Sequence, residues 1–286
     1  MSQLNRAAIL SEALPNIQRY SGKTVVVKYG GAAMESDELR AAVISDIVLL
    51  SYVGLRVVVV HGGGKEINAM LDMIGKEPKF VGGLRYTDRD TMDIVQMTLC
   101  GRTGKDLCAR ITRAGGRSIS LSGIDGALFT ARKMSGKYDW GYVGELEKVD
   151  PHLVEVALEA GYIPVVSTVA LGTDDDTAYN INADTAAAEL AAAMGAEKLI
   201  LLTDVPGLLR DKDDPDSLIS EITLSEIPAL IKNGAVGKGM VPKLDCCVTA
   251  LRKGVGSIGI LDGRAAHSIL VELLTDEGIG TMIIEG

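Results

Sequence analysis

Two apolar runs early in the chain end in glycine clusters: TVVVKYGG (Thr24–Gly31) and RVVVVHGGG (Arg56–Gly64). Unbroken β-branched residues suit a strand that is covered on both faces, because an alternating pattern would leave one face for water. Each run precedes a helical stretch, Ser36–Tyr52 after the first and about Lys65–Ile74 after the second. Strand, glycine-rich loop and helix, repeated, predict an α/β chain with a mostly parallel central sheet between helical layers.

The remaining pattern extends this reading. A helical stretch is expected over about Asp88–Ala114, hairpins over Arg117–Val149, a helix near Leu153–Ala160 and the strand YIPVVST. The polar turn LGTDDDTAYN leads to the helix NADTAAAELAAAMG, the strand KLILLTDV and a surface excursion, PGLLRDKDDPDS. A helix at Met240–Lys253, the strand SIGILDG, a helix near Ala266–Leu274 and the strand TMIIEG complete the pattern. At the N-terminus Leu10, Leu14 and Ile17 define an amphipathic helix, and Pro15 predicts a kink or break near residues 11–15. The boundary between two α/β halves is expected around Gly172–Ala178. That gives an N-terminal helix (1–21), a first lobe (22–174) and a second lobe (175–286).

Charge and composition exclude several functions. With 29 Lys+Arg against 38 Asp+Glu the chain carries a formal charge of −9, which opposes binding to a nucleic-acid backbone. No apolar run reaches the ~18–20 residues of a membrane span, and the first residues lack a secretory apolar core, so a cytoplasmic protein is expected. Cys100, Cys108, Cys246 and Cys247 include no CxxC and predict reduced thiols, with neither a disulfide framework nor a zinc site.

The glycine clusters are candidate anion cradles, since glycine lets backbone amides approach a phosphate and a following helix adds its dipole. Other nucleotide and hydrolase signatures fail. There is no GxxxxGK[ST]. The glycines Gly254, Gly256 and Gly259 follow a helix and enter a strand, the reverse of a dinucleotide site. HGGG occurs without a GxSxG nucleophile, and DKDDPD lacks the glycine and glutamate of a calcium loop. What remains is Lys28, Asn180, Asn182, Asp184, Lys238 and Lys243 at element ends. Lysines and glycine amides meet the needs of phosphoryl transfer, which are positioning and charge neutralisation. An acceptor that is already a carboxylate requires no base.

KYGGAAM (Lys28–Met34), HGGGKEIN (His61–Asn68), GGLRYTD (Gly82–Asp88), YNINADTAA (Tyr179–Ala187), LILLTDVPGLL (Leu199–Leu209) and GKGMVPK (Gly237–Lys243) together resemble the amino acid kinase family, in particular the branch that acts on N-acetylglutamate. The resemblance implies a three-layer α-β-α sandwich. It also implies ATP-dependent phosphorylation of the γ-carboxylate of N-acetyl-L-glutamate in arginine biosynthesis, with Mg2+ held mainly by the nucleotide and no protein metal site. By the same resemblance, Lys28 and Lys243 stabilise the transferring phosphoryl group and Asp184 orients them. Gly31, Gly63 and Gly64 offer amides, Arg85 clamps the α-carboxylate, and Asn180 and Asn182 bind the acceptor. Thr203, Asp204, Gly207, Leu208, Gly239 and Met240 line the nucleotide pocket. The chain departs from the family pattern at Lys65, Gly104 and Lys238, where proline, asparagine and glycine are usual.

The N-terminal helix and HSILVELLTDEGIGT resemble the arginine-inhibited branch of the family. On that resemblance Tyr20, Lys212, His267, Glu272, Gly278 and Gly280 form an effector site for L-arginine. The arms would then link three dimers into a hexamer, and the PII signal protein is a partner in part of the family. Glutamate 5-kinase or aspartokinase chemistry, and a sensor without turnover, are the competing expectations.

Overall fold

The computed structural model describes residues 11–34, 36–211, 214, 216–233, 236, 237 and 239–286. Helix α1 (Leu14–Tyr20) precedes β1 (Thr24–Tyr29), α2 (Asp37–Tyr52), β2 (Arg56–His61) and α3 (Gly64–Met73). A hairpin of β3 (Phe80–Val81) and β4 (Leu84–Arg85) leads to α4 (Arg89–Gln96), a π-helical segment (Met97–Thr103) and α5 (Gly104–Arg113). Next come β5 (Ser118–Ser122), β6 (Phe129–Lys133), β7 (Gly144–Val149), α6 (His152–Glu159), β8 (Ile163–Ser167), β9 (Val169–Gly172), β10 (Ala178–Asn180) and α7 (Ala183–Ala193). The chain continues with β11 (Lys198–Thr203), β12 (Glu221–Thr223), α8 (Ile227–Lys232), α9 (Val241–Arg252), β13 (Ser257–Asp262), α10 (Ser268–Leu274) and β14 (Thr281–Ile284).

Eight strands form the central sheet in the order β12-β14-β13-β11-β1-β2-β8-β5. From β13 to β5 every neighbouring pair is parallel; β14 runs antiparallel to β13, and β12, parallel to β14, shares its direction. Val25, Val27 and Tyr29 of β1 face a core built with α2, α5 and α10. Val26, between them, faces the opposite core with α7 and α9. Two helical layers on one sheet explain why the strands read as continuous apolar runs and not as alternating ones. The expected α-β-α sandwich is therefore the observed fold.

Several local expectations change. Ser118–Ser122 is not a hairpin strand; it pairs in parallel with β8 as the sheet edge, and the hairpin in that region is β6 with β7. The polar stretch 172–178 is the turn of an antiparallel β9–β10 hairpin inside a small sheet ordered β10-β9-β6-β7. The helix expected over Asp88–Ala114 is interrupted by a π segment, a wide turn common near functional sites. Gly104 stands where that segment returns to α-helix, and a methyl group there would lie 2.6 Å from Ser120 Oγ and 3.2 Å from His61 Nε2. The close packing accounts for glycine at this position, one of the departures noted above.

The helix at the N-terminus breaks at Ala13, and Pro15 sits in the first turn of α1, where its missing N–H costs nothing. Leu10 lies outside the described residues. Helix α1 packs on its own chain: Tyr20 is buried, and Asn16 Nδ2 donates to Asp276 Oδ1 at 3.2 Å. Among the described residues no helix is long and apolar enough to cross a membrane, and all four cysteines are free.

Candidate active site

Three charged side chains meet beside the carboxyl end of β1. Lys28 Nζ lies 3.0 Å from Asp184 Oδ1, and Lys243 Nζ lies 2.5 Å from Asp184 Oδ2. Each comes from a different element. Lys28 is the residue of β1 that turns toward α7, Asp184 occupies the first turn of α7, and Lys243 the first turn of α9. Asn182 fixes that turn, because its Oδ1 accepts from the backbone N–H groups of Asp184 at 2.9 Å and Thr185 at 3.1 Å. Burial opposes the Asp184 charge, but the two ammonium groups outweigh it and hold the carboxyl below the usual carboxylate range. Two cations on one anion leave one positive charge in excess.

The two glycine loops open beside this group. A methyl group built on Gly30 would lie 3.9 Å from Lys28 Cε and 4.0 Å from the backbone nitrogen of Gly62. Gly31 has φ +60°, a backbone state that favours glycine. Gly63 is the residue before α3, and a methyl group on it would strike Leu99 Cδ2 at 2.7 Å.

A cavity of about 240 Å³ lies against the second of these loops, with Gly62, Gly63, Gly64, Arg85, Asn180 and Asn182 in its wall. Arg85 Nη2 donates to Gly64 O at 3.0 Å and to Asn68 Oδ1 at 2.6 Å, and its guanidinium stacks 4.9 Å from the Phe80 ring. Its Nη1 is buried without a hydrogen-bond partner among the described residues, a donor held ready beside an open cavity. Asn180 Nδ2 donates to Thr87 Oγ1 at 3.3 Å. Asn182 borders the cavity, but its oxygen is committed to the helix cap, so only its amide nitrogen can serve a ligand. Sequence reasoning missed Asn68 and Phe80. The signal for Asn68 was its place four residues after Gly64, one helical turn along the same face.

A second cavity of about 390 Å³ adjoins Lys243 and is lined by Asp204, Gly207, Leu208, Gly239 and Met240, with Val205 and Pro206 between them. Thr203, expected in this wall, instead lies buried behind it, donating to Val205 O at 2.8 Å and accepting from Val205 N at 3.3 Å. It shapes the turn. Gly207 has φ +154°, and a methyl group there would lie 2.6 Å from Thr281 Oγ1.

Of the residues expected at an effector site, Lys212, like the departure at Lys238, lies outside the described residues. His267 Nδ1 lies 2.6 Å from the buried Asp46 Oδ1, where burial raises the Asp46 carboxyl and His267 counters it. Glu272 Oε1 is engaged by Lys198 Nζ at 2.6 Å, so it is not an open acceptor. Gly278 adjoins Glu272 Oε2, a methyl group there standing 3.1 Å away, while Gly280 packs against Ile260 O and Tyr20, the last residue of α1, is buried in the core that includes Ile269 and Leu273.

A family model described as the amino acid kinase family matches residues 23–262, and the chain belongs to that family. It is a kinase. The acetylglutamate kinase of Brachyspira hyodysenteriae is 52% identical over 283 residues, 99% of this chain and 98% of the relative. That of Synechocystis sp. is 55% identical over 279 residues, 98% and 93% of the two chains. Among solved structures, N-acetylglutamate synthase from Neisseria gonorrhoeae complexed with coenzyme A and N-acetyl-glutamate matches with a TM-score of 0.85 at 29% identity, over 98% of this chain and 63% of that one. The same synthase with coenzyme A and L-arginine gives a TM-score of 0.82 at 28% identity, over 98% and 65%. The chain thus spans under two thirds of the synthase.

Proposed function

We propose that this kinase transfers the γ-phosphoryl group of ATP to the γ-carboxylate of N-acetyl-L-glutamate, forming N-acetyl-L-glutamyl 5-phosphate for arginine biosynthesis. The observation that carries the proposal is the Lys28–Asp184–Lys243 group, with Lys243 in the wall of the larger cavity and Asp184 next in sequence to Asn182 and Ala183 in the wall of the smaller one. The relatives named acetylglutamate kinase support the choice of acceptor.

In this reading the acceptor fills the cavity beside Arg85, whose spare Nη1 meets the α-carboxylate, while Asn180 and Asn182 offer amide nitrogens. ATP fills the cavity lined by Asp204, Gly207, Leu208, Gly239 and Met240. One oxygen of the γ-carboxylate attacks the γ-phosphorus, the bond to the β-phosphate oxygen breaks, and ADP leaves with that electron pair. Lys28 faces the transferring group from the acceptor side and Lys243 from the nucleotide side. Amides of Gly31, Gly63 and Gly64 receive the remaining negative charge. Asp184 keeps both ammonium groups in place and takes no proton. Mg2+ neutralises phosphate charge when bound; both Asp184 oxygens are engaged by lysines, so the nucleotide's own phosphates would hold it.

The regulatory reading is also a proposal. L-arginine is the effector, and His267, Glu272, Gly278 and Gly280 gather around α10 where it would dock. The gonococcal synthase complexed with L-arginine supports this. Arginine must then share Glu272 with Lys198, through the oxygen beside Gly278. The N-terminal arm would join dimers into a hexamer, with residues 22–174 as acceptor lobe and 175–286 as nucleotide lobe, although Asn180 and Asn182 reach back into the acceptor cavity. PII binding has no support among these observations.

The deciding experiment traps acyl phosphate with hydroxylamine, using N-acetylglutamate, glutamate and aspartate with ATP, with and without arginine. Turnover on N-acetylglutamate alone, suppressed by arginine, supports both readings. Turnover without suppression removes the effector reading, and no turnover on any acceptor favours a sensor. Paired cations across two cavities have no use in a pure sensor, which is why catalysis is the stronger reading.

A further inference from the structure

The β3–β4 hairpin roofs the acceptor cavity through Phe80, Leu84 and Arg85. Two strands of two residues each do not hold themselves in place. Their support is the segment 134–143 between β6 and β7. Trp140, the one tryptophan in the chain, donates its indole N–H to Val81 O at 2.8 Å. Tyr138 packs edge-on against it with ring centroids 5.6 Å apart, and both rings close over Gly82 at φ +58°, where a methyl group would lie 3.2 Å from Tyr138. The Trp140 carbonyl accepts from Thr87 N at 3.0 Å, and Thr87 Oγ1 in turn accepts from Asn180 Nδ2 at 3.3 Å. One residue outside the cavity thus reaches its roof through Val81 and its far wall through Thr87. The loop that carries it is closed at its base by an ion pair, Lys133 with Asp139 at 2.9 Å.

We propose that Trp140 is a positioning residue for the acceptor, setting how far the β3–β4 hairpin stands over the cavity and therefore whether Arg85 reaches the acceptor's carboxylate. The inference rests on the acceptor cavity assigned above. Trp140→Phe keeps an aromatic ring and removes the donor. Loss of one neutral hydrogen bond should raise KM for the acceptor about three- to tenfold, with kcat and KM for ATP within about twofold of wild type.

Because there is one tryptophan, its emission reads the hairpin directly. Titrating wild-type protein with N-acetylglutamate should shift the emission, with a midpoint near KM, while a non-hydrolysable ATP analogue alone should leave it unchanged. Gly82→Ala, which keeps Trp140 and presses on its partner ring, should raise the same midpoint and so covers the case in which Trp140→Phe fails to fold. An unchanged acceptor KM in the variants, an equal effect on both substrates, or emission indifferent to the acceptor would overturn the proposal. If glutamate or aspartate proves to be the acceptor, the substrate assignment fails alone, and the same titration with that acceptor decides the role of Trp140.

Discussion

Two carboxylates with nearly buried side chains, Asp184 and Glu272, are gripped by lysines, and only the group at Asp184 adjoins the two cavities described above. Asp184 is held by Lys28 and Lys243, whose side chains are 12% and 21% exposed. Glu272 is held by Lys198 alone, with side chains 5% and 2% exposed. The first group carries surplus positive charge next to two cavities, where an anion can claim it. The second is a neutral pair nearly buried between β11 and α10, its Oε1 taken by Lys198 and only the Oε2 side, beside Gly278, left over. On the proposed mechanism the same lysine–carboxylate contact is a catalytic arrangement in one place and a pin in the other, and access together with charge balance decides which.

Breaking the buried pair should have the largest effect. Lys198→Met leaves a buried carboxylate uncompensated, which costs about 3–5 kcal/mol and lowers Tm by roughly 10 °C, while kcat of the folded protein is unchanged. Lys198→Met combined with Glu272→Leu should recover most of the loss. Thermal unfolding of both variants checks this, and a double variant as unstable as the single one would refute the pin. Lys243→Met should do the opposite. Loss of one transition-state donor lowers kcat by about 10²–10³, worth roughly 3–4 kcal/mol, with KM for either substrate nearly unchanged and a smaller loss of Tm than in Lys198→Met, because Lys28 still compensates Asp184. A kcat effect from Lys198→Met as large as that from Lys243→Met would erase the distinction.

A pH titration sharpens the comparison. The Asp184 carboxyl titrates below its usual value, so the stability it contributes is present above about pH 3.8 and is lost only as pH falls further. His61 behaves differently: burial pushes its imidazole down to about 4, against the opposing hydrogen bond to Gly62 O. The unfolded chain takes up that proton near pH 6.5 and the folded one does not. Stability is therefore full above about pH 6.5 and falls by roughly 3 kcal/mol as pH drops to about 4. Urea unfolding at about pH 7 and about pH 4.5 should show the slope in wild type and its absence in His61→Asn. A slope that survives in the variant would shift the cause to other groups.

How much of this was legible in the sequence depends on how local each feature is. β1 and β2 read directly, because covering both faces of a strand leaves an unbroken apolar run. Lys28, Asp184 and Lys243 sit in short motifs whose combination is specific, so the resemblance located them before the fold did. Ser118–Ser122 was misread because its pairing with β8 is a tertiary choice that nothing in SISLS announces. Lys198 at the head of KLILLT reads as a solvated strand end; its burial depends on Glu272, 74 residues further along. Thr203 was misplaced by one layer, since a motif gives adjacency but not which side of a turn a side chain takes. Trp140 stands 59 residues from its partner Val81 and carried no signal at all.

The smallest effects come from the glycine beside each lysine–carboxylate group. Gly278 has φ +58°, and a methyl group on it would meet Glu272 Oε2 at 3.1 Å. Gly278→Ala should therefore cost about 1–2 kcal/mol of stability through the left-handed backbone, with kcat unaffected. Gly30 has no positive φ, and a methyl group there makes only ordinary contact with Lys28. Gly30→Ala should fold as well as wild type, yet on the proposed mechanism its methyl group narrows the space beside Lys28 that the phosphoryl group crosses, and a misplacement of that size lowers kcat about tenfold. Measuring Tm and kcat for both variants gives a crossed result if the comparison holds: stability lost in one, turnover in the other. If Gly30→Ala lost stability and kept its turnover, the loop beside Lys28 would be a structural turn like the one beside Glu272, and the phosphoryl group would have to pass elsewhere.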